Sequence, residues 1–229
     1  MDPKKLFIDG RLKGVCAYCG AAANSRDHVP SKILLDEPYS QNIPVAESCT
    51  ECNRGFSVSE EYFACLIDCV VNGTTTPNDK FRKKIIATLI ARPSIAQRIE
   101  RGRETDPSGE LLWQPETDRV KEVVLKLSRG HIAYELGIQR TDEPEFIEIL
   151  PIPSMSEAML ESFYLLENGH LYPEIGSRAF VNSLTGKPTA YEQWFTVQEN
   201  RYHYSVGQSH GDWVKIVLSN YLACHVAWC

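Results

Sequence analysis

An α+β fold is predicted by three features of this chain. Paired cysteines bracket a short polar segment near its start, apolar residues recur at helical spacing through its middle, and apolar residues alternate after residue 193. The first feature organises the rest. Residues 16–53 read CAYCGAAANSRDHVPSKILLDEPYSQNIPVAESCTECN. Cys16 and Cys19 form one Cys-x-x-Cys knuckle, Cys49 and Cys52 a second, with 29 residues between them. Each knuckle offers two sulfurs from one tight turn, and two such pairs make up the ligand set of a tetrahedral zinc ion. The spacer is longer than that of a short zinc ribbon, and it holds Asp27-His28. These residues set a hard oxygen donor beside an imidazole that exchanges its proton near neutral pH. A metal-tied hairpin carrying a hydrolytic site is therefore expected.

Taken in order, Cys16-Ala17-Tyr18-Cys19, Asp27-His28-Val29-Pro30, Asn42-Ile43 and Cys49-Thr50-Glu51-Cys52-Asn53 resemble the HNH (ββα-metal) nuclease family in its four-cysteine, zinc-stapled form. The resemblance covers residues 12–63. It implies that His28 is the general base activating water, that Asp27 and Asn53 hold one divalent cation (magnesium or similar), and that Asn42 braces the loop behind His28. It also implies a first strand ending near Asp27-His28, a second over residues 43–45, and a helix from about Thr50 that sets Asn53 facing His28. The activity implied is metal-dependent endonuclease cleavage of nucleic acid, with DNA the expected polymer. The loop over residues 29–41 departs from the family in carrying Pro30, Pro38 and Asp36-Glu37.

The residue types suit that chemistry on their own terms. A phosphodiester needs an in-line nucleophile, neutralised charge at phosphorus and help for the leaving alkoxide. One hard cation supplies the last two, and Asp27 and Asn53 are oxygen donors of the kind magnesium accepts. A neutral His28 takes the proton from water, so activity is expected to fall below its ordinary pKa of about 6.5. Zinc on four thiolates has no open position and acts only as a staple. The reading from another class is a non-catalytic zinc module that binds nucleic acid or protein. A third makes the C-terminal half a sensor or specificity domain, or the seat of a regulatory partner. Cutting both strands from one site per chain usually calls for a homodimer.

Composition bounds these readings. With 229 residues, 43% hydrophobic and 24% charged, the chain has ordinary globular composition. No apolar run approaches a bilayer span, so no membrane partner is expected. The two lysines near the start precede no apolar core of a signal peptide, and paired cysteines without secretion point to metal in a reducing, cytoplasmic setting. The net charge of −6 counts against a polyanion, but it is uneven: residues 1–105 carry +2 and residues 106–229 carry −8.

Along the chain, Lys4, Lys5, Arg11 and Lys13 make a basic lead-in. Ser57 to Glu60 reads as a capping box opening a helix over residues 59–71, stopped by Asn72-Gly73. Cys65 and Cys69 lie one turn apart on it and read, with Cys224 and Cys229, as buried apolar cysteines rather than a second zinc site. Residues 80–91 combine a cationic front (Lys80, Arg82, Lys83, Lys84), open to phosphate contact or solvation, with a core face of Ile85, Ile86, Leu89 and Ile90. Pro93 restarts a helix to Arg101, and the turn over residues 102–109 is the expected boundary between domains 1–105 and 106–229. Beyond it are predicted a strand at 111–113, a helix over 119–136, a strand over 145–152, a helix over 154–166, and hairpins at 193–206 and 213–228. The whole is thus an N-terminal zinc-stapled ββα-metal fold with a helical extension, followed by an α/β appendage ending in antiparallel strands. His170, Glu174 and Arg178 read as a structural loop or a recognition surface.

Overall fold

A computed structural model describes residues 12–109, 111–168 and 172–229. Lys4, Lys5 and Arg11 of the basic lead-in, and His170, lie outside the described residues. Helix and sheet are mixed as expected, with a cysteine cluster near the start and an antiparallel sheet at the end. The chain divides into two compact units, Met1–Arg54 with Leu125–Cys229, and Gly55–Val124. The division does not fall in residues 102–109. That stretch is part of a hairpin, β3 (Arg103–Thr105) pairing β4 (Leu111–Trp113).

In the first unit, β1 (Ser25–His28) pairs antiparallel with β2 (Val45–Ser48), setting Asp27 opposite Ala46 and His28 opposite Val45. The second strand begins later than residues 43–45 because Pro44 has no N–H to give the ladder. Its carbonyl instead accepts from Val29 N at 2.8 Å, closing the hairpin. Helix α1 (Thr50–Gly55) starts where Asn24 Oδ1 accepts from both the amide and the hydroxyl of Thr50, each at 2.8 Å. The intervening loop buries Val29, Leu34 and Leu35. It is pinned by Asp36, whose carboxylate takes Arg201 Nε at 2.6 Å and whose amide donates to Gln198 Oε1 at 2.7 Å.

Gln198 ends one strand, and Arg201 precedes the next, of a five-stranded antiparallel sheet of order β5-β9-β8-β7-β6. Its strands are β5 (Phe146–Pro151), β6 (Phe195–Gln198), β7 (Tyr202–Gln208), β8 (Asp212–Leu218) and β9 (Leu222–Trp228). The expected hairpins are both present. Ser219 and Asn220 take left-handed φ of 52° and 50° in the three-residue connection between β8 and β9, where Tyr221 N returns to Leu218 O at 2.9 Å. Tyr202 and Tyr204 face α5 (Thr117–Leu136), where His131 Nε2 lies 2.8 Å from Tyr202 Oη and Glu135 Oε1 accepts from Tyr204 Oη at 2.7 Å. Val217 and Ala223, on the other face, pack under Phe163 of α6 (Glu157–Tyr164). Arg178, expected in a loop with His170 and Glu174, instead opens α7 (Arg178–Leu184), which Ser177 Oγ caps by accepting from Phe180 N at 3.1 Å. Arg178 reaches the Glu135 carboxylate at 3.4 Å and lies over the Tyr134 ring.

The second unit holds α2 (Ser57–Asn72), α3 (Lys83–Ala91), α4 (Pro93–Arg101), the β3–β4 hairpin and the start of α5. The helix begins at Ser57 rather than Ser59, following a Phe56 that is already helical and whose carbonyl takes Glu60 N at 2.9 Å. Gly73, at φ 66°, ends the helix as expected. Arg82 leaves the cationic front. Its Nε meets Asp68 Oδ1 at 2.8 Å in the interior, while Lys80 and Lys83 stay exposed. Ile85 and Leu89 are buried, but Ile90 is 68% exposed and not part of the core. Burial pushes the Cys65 and Cys69 thiols up to about 12, as buried apolar cysteines require.

Candidate functional site

The first knuckle is shaped by its backbone. Cys16 N donates to Ala21 O at 2.8 Å and Gly20 N returns to Cys16 O at 3.0 Å, with Gly20 at φ 77° where a side chain would be strained. Ala17 N donates to Glu47 O at 2.9 Å, tying this knuckle to β2, which delivers the second pair at its end. The four sulfurs of Cys16, Cys19, Cys49 and Cys52 all lie within 4.8 Å of one another. Cys19 and Cys49 sulfurs are 3.8 Å apart. A tetrahedron with zinc–sulfur bonds of about 2.3 Å has edges of about 3.8 Å, whereas a disulfide would bring sulfurs to about 2.05 Å. All four cysteines are free thiols. Cys52 N donates to Cys49 Sγ at 3.3 Å.

Electrostatics asks for a cation at this spot. Burial raises the Cys16 thiol, but backbone hydrogen bonds at Cys49, Tyr18 and Cys19 outweigh it and bring it down to about 7. Burial, then the neighbouring sulfurs, push Cys52 well up. Four thiolates cannot share one site without a positive charge between them, and a zinc ion supplies it. The donor set therefore fits zinc, with no position left for water. Among the described residues this is the sole cluster of three or more metal-ligating Cys, His, Asp or Glu side chains.

Asp27 and His28 are neighbours on β1, so their side chains leave opposite faces of the ribbon. His28 is half-buried, and its imidazole has no hydrogen-bond partner among the described residues. Burial lowers its pKa below 6.5, Lys32 and Lys126 lower it further, and Asp27 only partly offsets them. The ring is neutral at pH 7 and carries a lone pair. Asp27 lies inside, 6% exposed. Its Oδ2 accepts from Tyr18 Oη at 2.7 Å and meets Lys126 Nζ, also at 2.7 Å. Lys126 also donates to Ser31 Oγ at 2.9 Å. Asn53 stands on α1, where its Nδ2 donates to Ser25 Oγ at 2.8 Å and to Arg26 O at 3.2 Å. It is thereby brought to β1, one residue from Asp27 and two from His28. Asn42 is exposed, its backbone amide meeting Ser40 Oγ at 3.5 Å, and its side chain braces nothing behind His28 among the described residues.

Sequence reasoning missed the residues that hold Asp27. Lys126 comes three residues after Val123, on the apolar stripe of α5, and a charge on a core stripe signals a buried partner. Gly130, one turn further on, has room for no side chain: a Cβ there would lie 2.7 Å from Val29 Cγ2 and 3.2 Å from Tyr18 Oη. No family model, curated protein or solved structure matches this chain. No helix among the described residues is long and apolar enough to cross a membrane.

Proposed function

We propose that residues 16–53 form a zinc-stapled phosphodiester-hydrolysing centre of the ββα-metal type, acting on nucleic acid and foremost on DNA. The observation that carries this reading is His28, a half-buried imidazole with no hydrogen-bond partner among the described residues, at the end of β1 in the hairpin whose two ends carry the four cysteines. Its part is to take a proton from water as that water attacks phosphorus. The lowered pKa supports this role at neutral pH, since a base must be deprotonated before it acts.

Asp27 and Asn53 are the groups that would hold a divalent ion, which when bound neutralises charge at phosphorus and on the leaving oxygen. Asp27 does not fit that role in the arrangement seen, because a lysine and a tyrosine already occupy its Oδ2. The same pairing favours a second reading, in which the hairpin and helix are a non-catalytic zinc module that binds nucleic acid or protein. Labelled duplex and single-stranded DNA, incubated with the protein in magnesium, manganese or EDTA, separate the two. Metal-dependent cutting that Asn53→Ala weakens at least tenfold supports the hydrolytic centre. DNA retained in a gel shift but left whole in every metal selects the binding module.

A further inference from the structure

The second face of the C-terminal sheet carries polar groups that neither reading of the hairpin uses. Glu148 of β5 pairs in register with His225 of β9, and His225 with Lys215 of β8. Three titratable side chains thus stand in a row on one sheet face, about 5 Å from strand to strand. They floor a cleft of about 390 Å³ whose walls include Met155, Met159 and Phe163. That volume suits a small molecule rather than a polymer.

Each floor residue has a different demand left over. Lys215 is only 6% exposed, and its ammonium already donates to Ser162 O at 3.2 Å and Leu165 O at 2.7 Å, the carbonyls at the end of α6. It also lies 5.9 Å from the Phe163 ring centroid and 5.3 Å from that of Trp213. Its charge is thus spent on the helix end and the rings. His225 packs edge-on against Phe146 with centroids 5.2 Å apart, and burial, then Lys215, push its pKa down to about 4. Its imidazole is neutral and has no hydrogen-bond partner among the described residues. Glu148 is half-buried and has no cationic partner among them. A second carboxylate, Glu167, also lines the cleft, and residues 106–229 carry a net −8.

We infer that this cleft binds a small protonated amine with an apolar tail, its ammonium on Glu148 and the His225 imidazole and its tail along Met155, Met159 and Phe163. The carboxylates and the acidic surroundings disfavour an anion of the same shape, and they exclude nucleic acid as the occupant. Thioether and aromatic walls suit an alkyl or aryl group. The inference does not depend on the hairpin's activity.

Calorimetric titration of the full chain with phenethylamine, and with phenylacetate as the anionic counterpart, tests it. The expected result is saturable one-to-one binding of the amine, at least tenfold weaker in Glu148→Gln, with no binding of phenylacetate. Glu148 lies on an edge strand, so the variant is expected to keep the wild-type melting temperature. Met159→Ala, a half-exposed position, is expected to weaken binding as well. Absence of saturable amine binding, equal affinity in Glu148→Gln, or preference for phenylacetate would each overturn the assignment.

Discussion

Lys126 is the residue on which the hairpin site turns. Its ammonium and the Asp27 carboxylate form an ion pair at 2.7 Å, with side-chain exposures of 1% and 8%. Burying two charges costs about as much as their attraction returns, but removing one partner strands the other. Lys126→Met is therefore expected to destabilise the protein by about 3–5 kcal/mol in urea unfolding, and Asp27→Asn combined with Lys126→Met to recover most of the loss. A neutral single variant would show that the pair is not buried as described. Gly130 is constrained as tightly. Gly130→Ala pushes a methyl against Val29 and Tyr18, and a loss of about 1–3 kcal/mol is expected in thermal unfolding. At this scale the residue types are legible in the sequence and their surroundings are not. Asp27 and His28 stood out by type and adjacency, but the lysine that takes Asp27 lies far along the chain, where only its place on an apolar stripe betrays it.

Among the elements, the two knuckles carry the strongest consequence. Their sulfurs already sit at zinc spacing, so one zinc per chain is expected by elemental analysis, and cobalt in its place should give the intense sulfur-to-metal absorption of a tetrathiolate. Cys49→Ser removes a ligand at the junction of β2 and α1. It is expected to abolish that absorption and raise amide exchange across residues 16–53, because the hairpin is too short to persist without its staple. Unchanged exchange would contradict a structural role for the metal. The hairpin's existence and the helix start at Thr50 followed from the motif pattern, while its details yielded to local chemistry. Pro44 delays β2 for want of an N–H, a helical Phe56 brings the helix start forward to Ser57, and Ser177 caps a helix whose short apolar pattern hid it.

The molecule as a whole is built around one discontinuous unit, in which residues Met1–Arg54 fold with Leu125–Cys229. No composition shift marks such a division, which is why the turn at residues 102–109 drew attention instead. A buried and a half-buried histidine make this unit acid-sensitive. Burial lowers His131 far below its usual range, with Lys126 adding to the shift, and His225 falls to about 4 beside Lys215. Both must bind protons on unfolding below pH 6.5, so the stability present at pH 7 is lost as pH falls from 6.5 toward 4. Glu135, raised by burial despite Tyr204 and Arg178, acts in the opposite sense above pH 4.5 and blunts the slope without reversing two histidines. A melting temperature that falls between pH 7 and pH 4.5, and falls less in His225→Gln, is the expected outcome. A flat profile would contradict it.

In the proposed function His28 does the chemistry on a scaffold that the zinc holds. Its most direct test is DNA turnover by wild type and His28→Ala, each shown to carry one zinc and to melt alike, across pH 5–8 in manganese. Wild-type cutting is expected to decline in acid with an inflection below pH 6.5, and the variant is expected to cut nothing. Equal cutting by both proteins, or a wild-type rate insensitive to acid, would contradict it.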